Sequence, residues 1–223
     1  MDVKTAFLYG NLKEEINMNF REGYCKAGKV ASLLKCMYGL KQSAREWYEI
    51  LAALLRKLGF VTLHFDLCIF IHISETTFIL IYVDDISIFA PPSEFRQDVK
   101  DALTSEFDCK DLSNVRYILG LEINYTDKGI ELSHCGYIEK ILLKYVMIDC
   151  HPVSIPLDPN SPLQKTAEPG TGIDNIHEYQ SIIGSLMYAV IGTRPDLAHT
   201  VTVLSQFSSS PNEIHLQAAK CTL

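Results

Sequence analysis

The run from Phe78 to Phe89, FILIYVDDISIF, constrains the fold more than any other stretch: two adjacent carboxylates, Asp84 and Asp85, divide two apolar, β-branched segments. Short apolar segments parted by a polar pair read as strands, so the run predicts a β-hairpin with the Asp pair at its tip. Carboxylates held beside buried strands are costly unless a cation or a proton compensates them. A divalent cation is one compensator, since hard oxygen ligands suit Mg²⁺. A plain turn with both side chains in water is the other reading, because Asp is a common turn residue. The run by itself leaves both open.

The surrounding pattern is α+β, with strands and helices mixed and no regular βαβ alternation. Residues 1–9 read as a strand end entering a turn at Gly10-Asn11, followed by a short helix near Leu12–Ile16 and a strand over 29–35. From Ser43 to Leu58, Trp47, Ile50, Leu51, Leu54, Leu55 and Leu58 recur at helical spacing before Gly59. Core packing is therefore the reading of Trp47 and of its neighbour Tyr48. Strands are predicted at 67–73, 77–82 and 86–90, then a helix to Phe107 with Ser93 as N-cap. A second hairpin spans 117–125 and 130–133, and a helix covers 136–146. Residues 149–175 read as a linker, and further helices are placed at 177–191, 195–208 and 212–221.

The chain has 223 residues, 48% hydrophobic and 21% charged, which is enough to bury a sizeable core. Asp84 and Asp85 break its longest apolar run below membrane-spanning length, and the N-terminus lacks a secretory pattern, so no membrane partner is expected and cytoplasm is the default location. Seven cysteines without a framework point to free thiols in a reducing compartment, Cys25, Cys36, Cys68, Cys109, Cys150 and Cys221 among them. The pairs His134-Cys135 and Cys150-His151 suit zinc poorly, because adjacent side chains on a strand point to opposite faces. The net charge of −7 argues against tight duplex binding, although Lys35, Lys41, Arg45, Arg56 and Lys57 cluster in sequence.

Two more phrases bear on the Asp pair: Asp2 at the end of a short strand-like segment, and Tyr38-Gly39-Leu40-Lys41-Gln42-Ser43, a glycine turn entering a helix. With these in place the sequence resembles the reverse transcriptase of copia-type LTR retrotransposons. The blocks that carry the resemblance are MDVKTAFLYGNLKEEI, YGLKQSAREWY, ILIYVDDISIF, YILGLEI, GYIEKILLKY and GSLMYAVIGTRPDLAH, in the family's order from Met1 to about Lys220.

The resemblance implies a palm with partial fingers over 1–133 and a helical thumb- or connection-like region over 134–223, ahead of an RNase H domain. It implies RNA-directed DNA polymerisation, with primer-template nucleic acid and deoxynucleoside triphosphates as partners and Mg²⁺ or Mn²⁺ as cofactor. Two metals about 3.5–4 Å apart would serve such a transfer. By resemblance Asp2 and Asp84 are the principal metal ligands, Asp85 is the third acid, and Tyr82 lies near the primer terminus on the face of Asp84. Phe7 matches the aromatic that crowds the sugar 2′ position, where an ordinary core role is the plain alternative. Gly39 and Lys41 belong to the block that contacts nucleotide and template, or to a simple strand-to-helix turn. Lys110 offers a cation to the leaving pyrophosphate, or is a surface lysine. Gly120 matches the hairpin that grips the primer, or is a bulge glycine. Arg194-Pro195-Asp196-Leu197 is a family hallmark explained by helix initiation.

The sequence also departs from the family pattern: Ala44 stands for a usual proline, Cys36 for serine, Ser113 for glycine and His134-Cys135 for Ser-Gln. Family members carry a segment ahead of Asp2 that bears basic groups for the triphosphate. The expectation is a truncated polymerase, weak or inactive, the alternative being a non-catalytic remnant acting at most as a nucleic-acid or protein interaction module. An unrelated acid-site phosphoryl-transfer enzyme or nuclease is a third reading. Oligomeric state has no signature in the sequence.

Overall fold

A computed structural model describes residues 1–24, 28–74, 76–157, 163 and 175–223, so Cys25 and most of the linker expected at 149–175 lie outside the described residues. The chain divides into two compact units, Met1–Asn114 and Val115–Leu223.

In the first unit a six-stranded sheet is built from β1 (Asp2–Val3), β4 (Phe60–Thr62), β5 (Ile69–His72), β6 (Thr77–Tyr82), β7 (Asp85–Phe89) and β8 (Cys109–Lys110), in the order β4-β5-β6-β7-β1-β8. Every described pairing in it is antiparallel. The predicted hairpin is β6–β7. Its alternation buries Ile79 and Ile81 on β6 against Ile86 on β7, and leaves Phe78 and Tyr82 on the opposite face. Two helices, α1 (Ser43–Lys57) and α2 (Glu94–Glu106), close the buried face. Trp47, Leu51 and Leu55 of α1 join Val99 and Leu103 of α2, together with Val3, Phe60, Phe70 and the strand isoleucines, in one core. Ser93 caps α2 as expected, accepting from the Arg96 amide at 3.2 Å.

One element is corrected. The segment read as a helix near Leu12–Ile16 is a strand, β2 (Asn11–Met18), paired with β3 (Ala31–Lys35) in a separate two-stranded ribbon. None of its residues is buried. Its Leu, Lys and Glu favour a helix weakly, and pairing with β3 overrides that preference.

The second unit holds a three-stranded antiparallel sheet, β9 (Tyr117–Ile118), β10 (Leu121–Thr126) and β11 (Gly129–Ser133), followed by α3 (Cys135–Lys144). After the linker region come α4 (Ile176–Gly192), α5 (Ala198–Ser205) and α6 (Glu213–Thr222), with a 3₁₀ turn at Pro195–Leu197. Tyr179, Ile182, Leu186, Val201, Leu204 and Leu216 lie in its core. Among the described residues no helix is long and apolar enough to cross a membrane.

Candidate active site

Strand order brings the acidic residues together. β1 lies between β7 and β8, so Asp2 stands opposite Asp85 on one side and opposite Lys110 on the other. Tyr82 is in turn opposite Asp85. Directly paired residues share a face of a sheet, so Tyr82, Asp85, Asp2 and Lys110 form a row across four strands. This corrects the expectation for Tyr82, which shares its face with Asp85. Asp84 is not on a strand at all, because it occupies the two-residue turn Val83-Asp84 between β6 and β7.

That turn is strained. Val83 has φ 56, a conformation a β-branched residue rarely adopts. Two anchors hold it: the Trp47 indole donates to the Val83 carbonyl at 2.6 Å, and the Val3 amide donates to the Asp84 carbonyl at 2.9 Å. The Asp84 carboxylate accepts a hydrogen bond from the Tyr38 hydroxyl through Oδ2 at 3.1 Å. Tyr38 leans on Phe7, with ring centroids 4.5 Å apart. Phe7 sits on a 3₁₀ turn (Ala6–Tyr9) directly after β1 and packs against the core edge, so its two readings meet in one position: core on one side, Tyr38 on the other.

The electrostatics follow from this crowding. Partial desolvation, then the charges of Asp2 and Asp84, hold the Asp85 carboxyl above the usual carboxylate range. Asp85 is exposed as a residue, so water moderates the penalty. Partial desolvation, followed by the bond to Asp84, raises the Tyr38 phenol.

The remaining candidates fall nearby or apart. Gly39 has φ 100 with open space around it, so its backbone is accessible to a ligand. Lys41 and Lys110 are exposed. Gly120 lies in the second unit, where Leu119 (φ 52) and Gly120 (φ 80) link Ile118 to Leu121. Two positive φ angles in a two-residue hairpin loop are the signature of a type I′ turn rather than of the bulge that was the plain alternative for Gly120. A side chain at Gly120 would also strike the Tyr188 hydroxyl.

A comparison with protein families decides what this arrangement belongs to: the model described as "Reverse transcriptase (RNA-dependent DNA polymerase)" matches residues 1–159. The chain is a member of the reverse transcriptase family. Its relatives include Pol polyproteins of copia-type retrotransposons. It is 39% identical to the "Retrovirus-related Pol polyprotein from transposon TNT 1-94" of Nicotiana tabacum, over all of this chain and 18% of that protein. It is 36% identical to the Arabidopsis thaliana transposon RE1 polyprotein, over 99% of this chain and 15% of the relative. Against the transposon Ty1-MR1 Gag-Pol polyprotein of Saccharomyces cerevisiae it is 28% identical, over 96% of this chain and 13% of the relative. The chain thus spans less than a fifth of these polyproteins. No solved structure matches it.

A divalent metal fits the donors of this reverse transcriptase domain. Mg²⁺ takes one or two protein carboxylates and completes its shell with water and substrate oxygens, and Asp2 and Asp85 face each other across the sheet without a described ion pair between either and a lysine. Among the described residues no three His, Cys, Asp or Glu side chains close into a metal cage. Sequence reasoning passed over two contributors, the Tyr38 hydroxyl and the Trp47 indole. Tyr38 was visible as the residue before Gly39; Trp47 was legible as core, and its ring is indeed buried, but nothing in its spacing tells where its N–H points.

Proposed function

We propose that the first unit is the palm, with partial fingers, of an RNA-directed DNA polymerase, and that the helices after residue 133 form a thumb- or connection-like region. The hairpin over 117–133, which ends the palm by resemblance, belongs to the second compact unit. The observation that carries the reading is the pairing of Asp2 with Asp85 beside the Asp84 turn. Residues more than eighty positions apart in sequence are set side by side within the sheet, with Asp84 in the adjoining turn, and carboxylates brought together in this way favour a bound cation.

Bound Mg²⁺ or Mn²⁺ would supply the charge stabilisation for attack of a primer 3′-hydroxyl on the α-phosphate and for departure of pyrophosphate. Asp2, Asp84 and Asp85 are the residues to hold it. Tyr38 fixes one oxygen of Asp84. Phe7, braced by Tyr38, presents an aromatic edge where a nucleotide sugar would lie, and the exposed backbone at Gly39 offers close approach to nucleotide and template. Lys110, next to Asp2 in the row, is placed to offset negative charge on a leaving phosphate. Tyr82, 55% exposed at the other end of the row, offers a surface for the primer end.

Primer extension on poly(rA)/oligo(dT) with Mg²⁺, then Mn²⁺, tests this. Wild-type extension should fall by more than about 100-fold in Asp84→Ala, the scale on which losing one charge-stabilising group acts. Extension unaffected by Asp84→Ala would overturn the assignment, and cleavage of the primer-template would replace it with a nuclease.

A further inference from the structure

α1 builds more than the core. Ser43, at its first turn, donates to the Met37 carbonyl at 2.7 Å, and Trp47, one turn on, donates to the Val83 carbonyl at 2.6 Å. Each of those carbonyls belongs to the residue immediately before one of a hydrogen-bonded pair: Met37 before Tyr38, Val83 before Asp84. Ser43 and Trp47 are both buried, and positions i and i+4 lie on one helix face. One face of one helix therefore sets the backbone on both sides of the 3.1 Å contact between the Tyr38 hydroxyl and Asp84 Oδ2. Tyr38 is about half exposed, so burial alone does not hold its ring. The ring is positioned by the backbone anchors, by Phe7 at 4.5 Å and by the carboxylate.

From this geometry we infer that Tyr38 is a positioning residue for Asp84: it occupies Oδ2, restrains the carboxylate and leaves Oδ1 as the oxygen that would ligate a cation, with Phe7 steadying its ring. The inference rests on the reading of Asp84 as a metal ligand and adds to it a residue that touches neither metal nor substrate. Hydrogen bonds to a ligating carboxylate orient it, and removing such a partner lowers metal affinity by about 10–100-fold. Phe7 then has two duties. It borders the nucleotide sugar, and it transmits disturbance there, through Tyr38, to the carboxylate.

The test is Mn²⁺ binding to the full 223-residue chain, followed as loss of the free-ion electron paramagnetic resonance signal, for wild type, Tyr38→Phe, Asp84→Ala and the double variant. Tyr38→Phe keeps the ring on Phe7 and removes only the hydroxyl. We expect its Mn²⁺ dissociation constant to rise about tenfold with an unchanged melting temperature. Asp84→Ala should lose the site, and adding Tyr38→Phe to it should change nothing more. Wild-type affinity in Tyr38→Phe, with binding lost in Asp84→Ala, would overturn the positioning role and leave the metal assignment standing. Wild-type affinity in Asp84→Ala would overturn the metal assignment itself, and the role of Tyr38 with it.

Discussion

Ser113 adopts φ 62, in the left-handed region, while its amide bonds Asp111 Oδ1 at 2.8 Å. The resemblance implies glycine at this position, and the backbone gives a physical reason for one: a left-handed L-residue costs about 1–2 kcal/mol, which glycine avoids. Glycine loses some of that advantage through its freer unfolded chain. Ser113→Gly should therefore stabilise the protein by about 0.5–1 kcal/mol, measured as a shift in urea midpoint; a destabilised variant would contradict the conformational argument. Asp84 shows the limit of such reading. Its identity as a candidate is plain from the Asp-Asp pair, but its place in the turn, with the strain displaced onto Val83, depends on which residues pair across β6 and β7. Tyr82 shows the same limit: it stands opposite Asp85, because period-two alternation does not carry past the strand end to Asp84.

At the scale of elements, periodic segments with a buried face were legible and those without one were not. α1 carries its apolar stripe in the sequence and buries Trp47, Leu51 and Leu55 as the spacing implies. β2 has no buried residue, hence no pattern, and only its partner strand makes it a strand. The end of α4 gives a sharper test of packing. Gly192 is its last residue, and a Cβ there would run into the ring of His134. That ring is 4% exposed, bonded to the Thr193 hydroxyl through Nδ1 at 3.2 Å, and flanked by Tyr137 and Tyr188 at 5.6 and 5.2 Å. Glycine to alanine in a helix normally gains up to about 1 kcal/mol. Here the sign should reverse, and Gly192→Ala should destabilise by about 1–3 kcal/mol through overpacking. A thermal melt that shows Gly192→Ala more stable would mean the ring yields freely.

For the whole molecule, the division into two units means that stability must be followed unit by unit. The single tryptophan, Trp47, lies in the core of the first unit, so its fluorescence reports on the sheet that carries the acids. A hydrogen bond from Lys100, 2.8 Å away, first, and then the Ser113 amide, hold the Asp111 carboxyl below its usual value of 3.8. A depressed carboxyl contributes stability that is fully present above 3.8 and is lost as pH falls through its lower folded value. Because Asp111 is 43% exposed and its partner 22%, the effect is small. Lys100→Met should reduce the acid dependence of the Trp47 transition below pH 3.8 and leave its slope at neutral pH unchanged; an identical acid limb would show that the pair contributes nothing. Family membership is legible from six ordered sequence blocks. The meeting of Asp2 with Asp85 is implied by the resemblance alone, because no spacing between them encodes that β1 inserts between β7 and β8.

The insertion of β1 between β7 and β8 delivers Asp2 to Asp85. The most direct measurement is single-nucleotide incorporation on an RNA-templated DNA primer by the full chain, wild type against Asp2→Asn, at saturating Mg²⁺. Wild type should incorporate the nucleotide, and Asp2→Asn should lose more than about 100-fold of that incorporation with an unchanged Trp47 transition. Equal incorporation by the two proteins would show that the carboxylate beside Asp85 takes no part in the chemistry.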